Sequence, residues 1–204
     1  MKLKYVLLFF TIISTIISYI GAKEPFTWWL EAAPVFVGIV ALLIFRKFEF
    51  TNLVYIVIFN HFLVLLLGAH YTYAEVPGFG WMNNFFGGTR NNYDKIGHFI
   101  QGFSPALIAR EVLIRKKVLH KKSWLSFLVI CIVLAISAFY EMIEWVVSLF
   151  SGESGDSFLG TQGYIWDTQT DMFTALIGGL VAVILFSKFH DRQILKKINH
   201  PSSN

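Results

Sequence analysis

Apolar blocks long enough to cross a bilayer recur along this sequence, and they constrain its fold more than any other feature. As a helix, a run of ~20 apolar residues spans ~30 Å of hydrocarbon. Water does not reach the backbone there, so such a run must close its own hydrogen bonds. One block runs from Leu3 to Gly21, after Lys2 and Lys4. It has the look of a signal peptide, but no small-x-small cleavage site follows, and it reads as a retained first helix. Further blocks run from Trp28 to Phe45, Leu53 to Ala69, Trp124 to Phe150 and Ile165 to Phe189. Glu31 interrupts the second, and Pro34 falls in its first turns, where a proline costs least. The segment from Tyr93 to Ile114 is less apolar, with Asp94, Lys95, His98, Gln101, Arg110 and Glu111. A helix of that kind belongs inside a bundle, away from lipid. The expected fold is an all-α polytopic membrane helix bundle of about six transmembrane helices. Residues 1–189 form one transmembrane domain, and the polar stretch 190–204 reads as a frayed cytoplasmic tail.

Composition agrees. Hydrophobic residues make up 55% of the chain and charged residues 15%, against roughly 25% charged in a soluble domain. The net charge of +4 raises nucleic acid as a partner, but no basic stripe carries interleaved aromatics, so the expected partner is the lipid bilayer. The only cysteine, Cys131, lies in an apolar run, so no internal disulfide forms.

Lysine and arginine set the orientation. With the N-terminus inside, one side receives Lys2, Lys4, Arg46, Lys47, the 115–122 cluster, Lys188, Arg192, Lys196 and Lys197. The other receives chiefly Lys23, Arg90 and Lys95. The positive-inside bias places both termini in the cytoplasm of a bacterial inner membrane.

On that orientation the intramembrane polar groups share one depth near the outer face. Asp94, His98 and Gln101 stand at i, i+4 and i+7, the later two within about 40° of Asp94 around a helix. Glu141 and Glu144 are one turn apart, as are Asp167 and Asp171. Repelling carboxylates at low dielectric need bound protons, a divalent cation, Lys95 and Arg90, or an aqueous opening. A His/Asp/Glu set suits Zn²⁺, Mn²⁺ or iron, and an all-oxygen subset Mg²⁺ or Ca²⁺. His98, Glu141, Glu144, Asp167 and Asp171 are the candidate ligands, with His98, Glu141 and Glu144 also the candidates for proton transfer. Lys95, His70 and Glu75 could complete the cluster.

Blander readings stand beside these. Asp94 and Asp167 at helix starts favour the macrodipole without any function. His61, alone in an apolar helix, reads as a packing residue. His70 and its tyrosines fit an interfacial girdle, and Trp28, Trp29, Trp124, Trp145 and Trp166 fit interface anchors. Arg110 and Glu111 read as a local, charge-compensated helix end. The loop Ser151–Gly163 lacks a phosphate-loop signature, and its Glu153 and Asp156 read as solvated charges.

Three stretches carry a resemblance: Gly68–Pro77 (GAHYTYAEVP), Tyr93–Phe103 (YDKIGHFIQGF) and Gly155–Met172 (GDSFLGTQGYIWDTQTDM). With these, nearly the whole chain resembles the uncharacterised bacterial inner-membrane family typified by YjdF, which implies a multi-pass protein of unknown function. A looser likeness is to the VanZ-like membrane family. Asp94-Lys95-x-x-His98-Phe99, Glu141 or Glu144, and Asp167-x-x-x-Asp171 are similar to its pattern, but Ala175 stands where that pattern commonly has asparagine.

Three functions compete. The first is metal-assisted or acid–base chemistry, or binding, on a lipid-linked or envelope substrate at an outward-facing site. The second is a proton- or cation-coupled transporter, and the third a non-catalytic membrane partner whose acids are structural.

Overall fold

A computed structural model describes residues 3–73, 75–82, 91–151 and 166–199 of the chain. Arg90, Glu153 and Asp156 lie outside the described residues. Among the described residues six long helices follow one another: α1 (Leu3–Tyr19), α2 (Pro25–Ile44), α3 (Asn52–Tyr71), α4 (Tyr93–Arg115), α5 (Leu125–Ser151) and α6 (Asp167–Asn199). Short 3-10 turns, Gly80–Met82 and Lys122–Trp124, precede α4 and α5. Among the described residues there is no strand, so the fold is the all-α membrane bundle expected.

By length and apolarity, α2, α3, α5 with its leading turn, and α6 each suffice to cross a membrane. The apolar α1 is shorter, at 17 residues, and α4 carries the polar groups. The outer surface shows why the bundle needs lipid. Phe9, Ile16, Val37, Ile44, Phe127, Phe139, Leu149 and Ile184 are all exposed, a surface that water would penalise. Cys131 is exposed on the same kind of surface.

Local chemistry explains the helix ends. Pro25 opens α2 at a position where its missing N–H costs nothing. Thr51 caps α3 by accepting from the Val54 N–H at 3.4 Å. At its other end Thr72 is left-handed, φ 59°, and its N–H returns to the Gly68 carbonyl. Because α2 begins at Pro25, Pro34 lies in the helix interior rather than in the first turns. It and Pro105 of α4 each remove one rung from their helix.

α3 packs on α1, α2 and α4, while α5 packs on α4 and α6. The tightest pair is α4 with α6. A Cβ at Gly102 would strike the Ala175 carbonyl, and one at Gly178 the Phe99 carbonyl. Glycine at both contacts lets the two backbones touch, as small residues do in membranes. α2 packs extensively on α3, and among the described residues no extensive packing joins it to α5.

At the end of the bundle where α4 finishes, the structure corrects two expectations. Glu111, fully buried, accepts from Thr51 N at 3.0 Å, Thr51 Oγ1 at 2.8 Å and Arg115 at 2.7 Å, and stands 3.1 Å from His190 Nε2. Arg110 pairs with Asp191 at 2.7 Å. Arg110 and Glu111 are therefore not a local pair; they tie α4 to α3 and α6. For the same reason His190 does not begin a frayed tail. It is buried, and α6 continues helical to Asn199. Trp28 is a third correction. It is buried and donates to Ser18 Oγ at 2.9 Å, so it packs the α1–α2 contact, while Trp29, Trp124, Trp145 and Trp166 remain exposed.

Candidate functional site

At the other end of the bundle α4 and α6 begin, and α3 and α5 finish. A cavity of about 190 Å³ lies there. α4 contributes Asp94, His98 and Gln101 to its wall, α5 contributes Glu141 and Glu144, and α6 contributes Asp167 and Asp171. Helical periodicity delivers these groups: one-turn spacings on each of three helices turn one polar face inward.

Lys95 organises the acids. Its side chain is almost fully buried, and Nζ lies 2.7 Å from Asp167 Oδ1 and 2.7 Å from Asp171 Oδ1. It donates further to Thr170 Oγ1 at 3.1 Å and sits 3.8 Å from Asp94 Oδ2. An ammonium at this depth is tolerable because carboxylates surround it.

His98 stands between the helices. Its Nδ1 is 3.7 Å from Glu141 Oε1 on one side, and its Nε2 is 3.7 Å from Asp171 Oδ1 on the other. One donor atom from each of His98, Glu141 and Asp171 falls within 4.8 Å of the other two. Asp94, Asp167 and Asp171 form a second such group around Lys95. Glu141 Oε1 is buried and accepts no hydrogen bond among the described residues.

His70 and Glu75 do not join the cluster. The His70 ring lies 2.8 Å by Nδ1 from the Ser18 carbonyl of α1 and meets Tyr71 edge-on. Glu75 pairs with Lys23 at the surface. Both therefore tie the α3 exit to α1 and its loop.

The structure adds residues that spacing did not bring together. Glu31 of α2 reaches the cavity, is 4% exposed, and keeps Oε2 without a hydrogen bond among the described residues. Its signal was an acid inside an apolar block. His61 of α3, read as a packing residue, lines the wall with Pro34, Pro105, Tyr73 and Tyr140. Tyr73 is left-handed, φ 51°, and its ring fills the space beside Gly68 and Gly97. Those two glycines were the available sign that an aromatic ring would slot between α3 and α4.

Over residues 3–192 the sequence matches the family described as "Predicted membrane protein (DUF2238)". The chain belongs to that family. It is 47% identical over 176 residues to the inner membrane protein YjdF of Escherichia coli (strain K12), covering 86% of this chain and 84% of the relative. No solved structure matches the chain. In this DUF2238 protein, then, a lysine-centred acid network and a His–Glu–Asp triangle share one cavity inside a membrane bundle.

Proposed function

We propose that this protein binds a divalent cation at the His98–Glu141–Asp171 triangle, near the outer face of the inner membrane, and uses it in metal-assisted acid–base chemistry on a lipid-linked or envelope substrate. The observation that carries the reading is the triangle itself, three donor atoms from three helices within 4.8 Å of one another. A tetrahedral ion with bonds of ~2.0–2.2 Å holds its donors ~3.4 Å apart, so the side chains close by at most ~1.4 Å around it. One imidazole and two carboxylates suit Zn²⁺, Mn²⁺ or iron. Three protein ligands leave a coordination position for water or substrate. Glu144 and Asp167 line the same cavity, as candidates for proton transfer or for a fourth ligand in place of that water, and Asp171 keeps one carboxylate oxygen beside the one that Lys95 holds.

Charge supports the same reading. Glu31, Asp94, Glu141, Glu144, Asp167 and Asp171 line the cavity, and Lys95 is the ammonium among them. A divalent ion offsets part of the remaining repulsion, and bound protons are left to offset the rest. The gap in packing between α2 and α5 supports a substrate that arrives from the bilayer. The transport alternative draws on the same acids. Against it, the lining beyond Pro34, His61 and Pro105 is apolar as far as the basic end of the bundle, which offers a cation no carboxylate relay among the described residues.

The test is elemental analysis and thermal melting of the detergent-purified protein. About one divalent ion per chain is expected, lost on Glu141→Ala or Asp171→Ala. Chelator should lower the melting temperature by roughly 5–11 °C, from ~2.7 kcal/mol of binding at a hundredfold excess over Kd. Adding back the ion should restore it. A metal-free protein whose melting ignores chelator would reject the bound ion.

A further inference from the structure

A second, larger space opens beneath the acidic cavity. It is a groove of about 1100 Å³ between α2, α3 and α4. The two spaces share Pro34, His61 and Pro105 at their boundary. From there the groove is apolar, walled by residues such as Ala41, Ile58, Ile108 and Val112, until it ends at Arg46, Lys47, Arg115 and Lys116.

The basic end is a fixed piece of structure. Arg115 donates to the Phe48 carbonyl at 2.7 Å and the Glu49 carbonyl at 2.9 Å, which pins the α2–α3 loop against α4. Its guanidinium also lies 4.0 Å over the Phe48 ring. Arg46, Lys47 and Lys116 remain exposed at the mouth. Along α2, Pro34 to Phe45 covers ~17 Å at 1.5 Å per residue. That is close to ~15 Å, the hydrocarbon depth of one leaflet, or half of ~30 Å. A volume above the ~300–1,000 Å³ of small-molecule pockets also points to a long occupant.

We infer that this groove binds one anionic phospholipid of the leaflet at the basic end, its phosphate on Arg46, Lys47 and Lys116 and an acyl chain running up to Pro34 and His61. The argument is charge and length together. A cationic mouth selects the phosphate, and a one-leaflet apolar trough accepts the chain. The site does not depend on the metal reading, since it shares none of the candidate metal ligands.

The test uses the full chain in neutral detergent. Thermal stability and native mass spectrometry are followed as phosphatidylglycerol, phosphatidylcholine or free glycerol phosphate is added. Phosphatidylglycerol should raise the melting temperature and leave one lipid bound, and the other two should do neither. Arg46→Gln, Lys47→Gln and Lys116→Gln together, all at exposed positions, should weaken binding on the order of 100-fold. Ala41→Phe, which fills the trough and keeps the charges, should also weaken it. Equal effects of the two lipids would overturn the site, as would unchanged affinity in the charge variant. An equal effect of glycerol phosphate would replace the lipid with a free phosphate ligand, and unaltered binding in Ala41→Phe would remove the acyl chain from the groove.

Discussion

Replacing Lys95 with methionine keeps most of the length of the side chain and removes the ammonium that lies 2.7 Å from both Asp167 and Asp171. Both acids are almost fully buried, so little water is in reach to take over the lost contacts. Breaking a buried ion pair from one side costs ~3–5 kcal/mol, because the partner charge is stranded. For a chain of this size each kcal/mol moves the melting temperature by ~2–4 °C, so Lys95→Met should lower it by roughly 6–20 °C. The measurement is thermal unfolding of the metal-stripped protein in detergent. Adding Asp171→Asn to Lys95→Met should recover part of the loss, since it removes one stranded charge, and the cycle of single and double variants isolates that coupling. If a divalent ion binds beside Asp171, supplying it should also restore stability in the single variant. A drop below ~3 °C in the stripped Lys95→Met protein would refute the reasoning, because the acids would then be compensated without the ammonium.

Three further outcomes are expected. Gly102→Ala should destabilise the protein by ~1–3 kcal/mol in a denaturation series, because its Cβ meets the Ala175 carbonyl; a gain in stability, as helix propensity alone would give, would disprove the close approach of α4 and α6. Glu111→Ala should cost ~3–5 kcal/mol by leaving the Arg115 guanidinium without its carboxylate and the Thr51 donors without their acceptor, and wild-type melting would show that this end is not a stabilising lock. Reporter fusions after Lys122 and at Asn204 should both report the cytoplasm, and an extracytoplasmic C-terminus would overturn the six-span topology.

The helices were legible because a bilayer leaves a sequence little choice. The apolar blocks mark where α1, α2, α3, α5 and α6 run, and polar α4 announces itself as an interior helix by being unfit for lipid. The core of the site was legible for a related reason, since Asp94/His98, Glu141/Glu144 and Asp167/Asp171 repeat at the helical period. What spacing within one helix does not encode is which helices meet. Glu31 and His61 are single polar residues in apolar blocks, and only the packing of α2 on α3 beside α4 brings them to the cavity. His70 shows the converse. It stands at the right depth, but the turn after α3 and the nearby Ser18 carbonyl direct it to α1. The continuation of α6 past Phe189 was hidden because His190 and Gln193 look solvent-bound until Glu111 and the Leu53 N–H are found beside them.

The contacts of α4 also impose an order on synthesis. Lys95 is made 72 residues before Asp167 and 76 before Asp171, and Glu111 is made 79 residues before His190. At ~5–20 residues per second, those partners emerge ~4–16 s later. Until then α4 carries a lysine whose two main counter-ions do not yet exist, and its nearest acid is its own Asp94. The polar face of the nascent fourth helix therefore lacks these counter-ions until α6 has been made. The glycine contacts that join these two helices can form only once both partners of that network have been made.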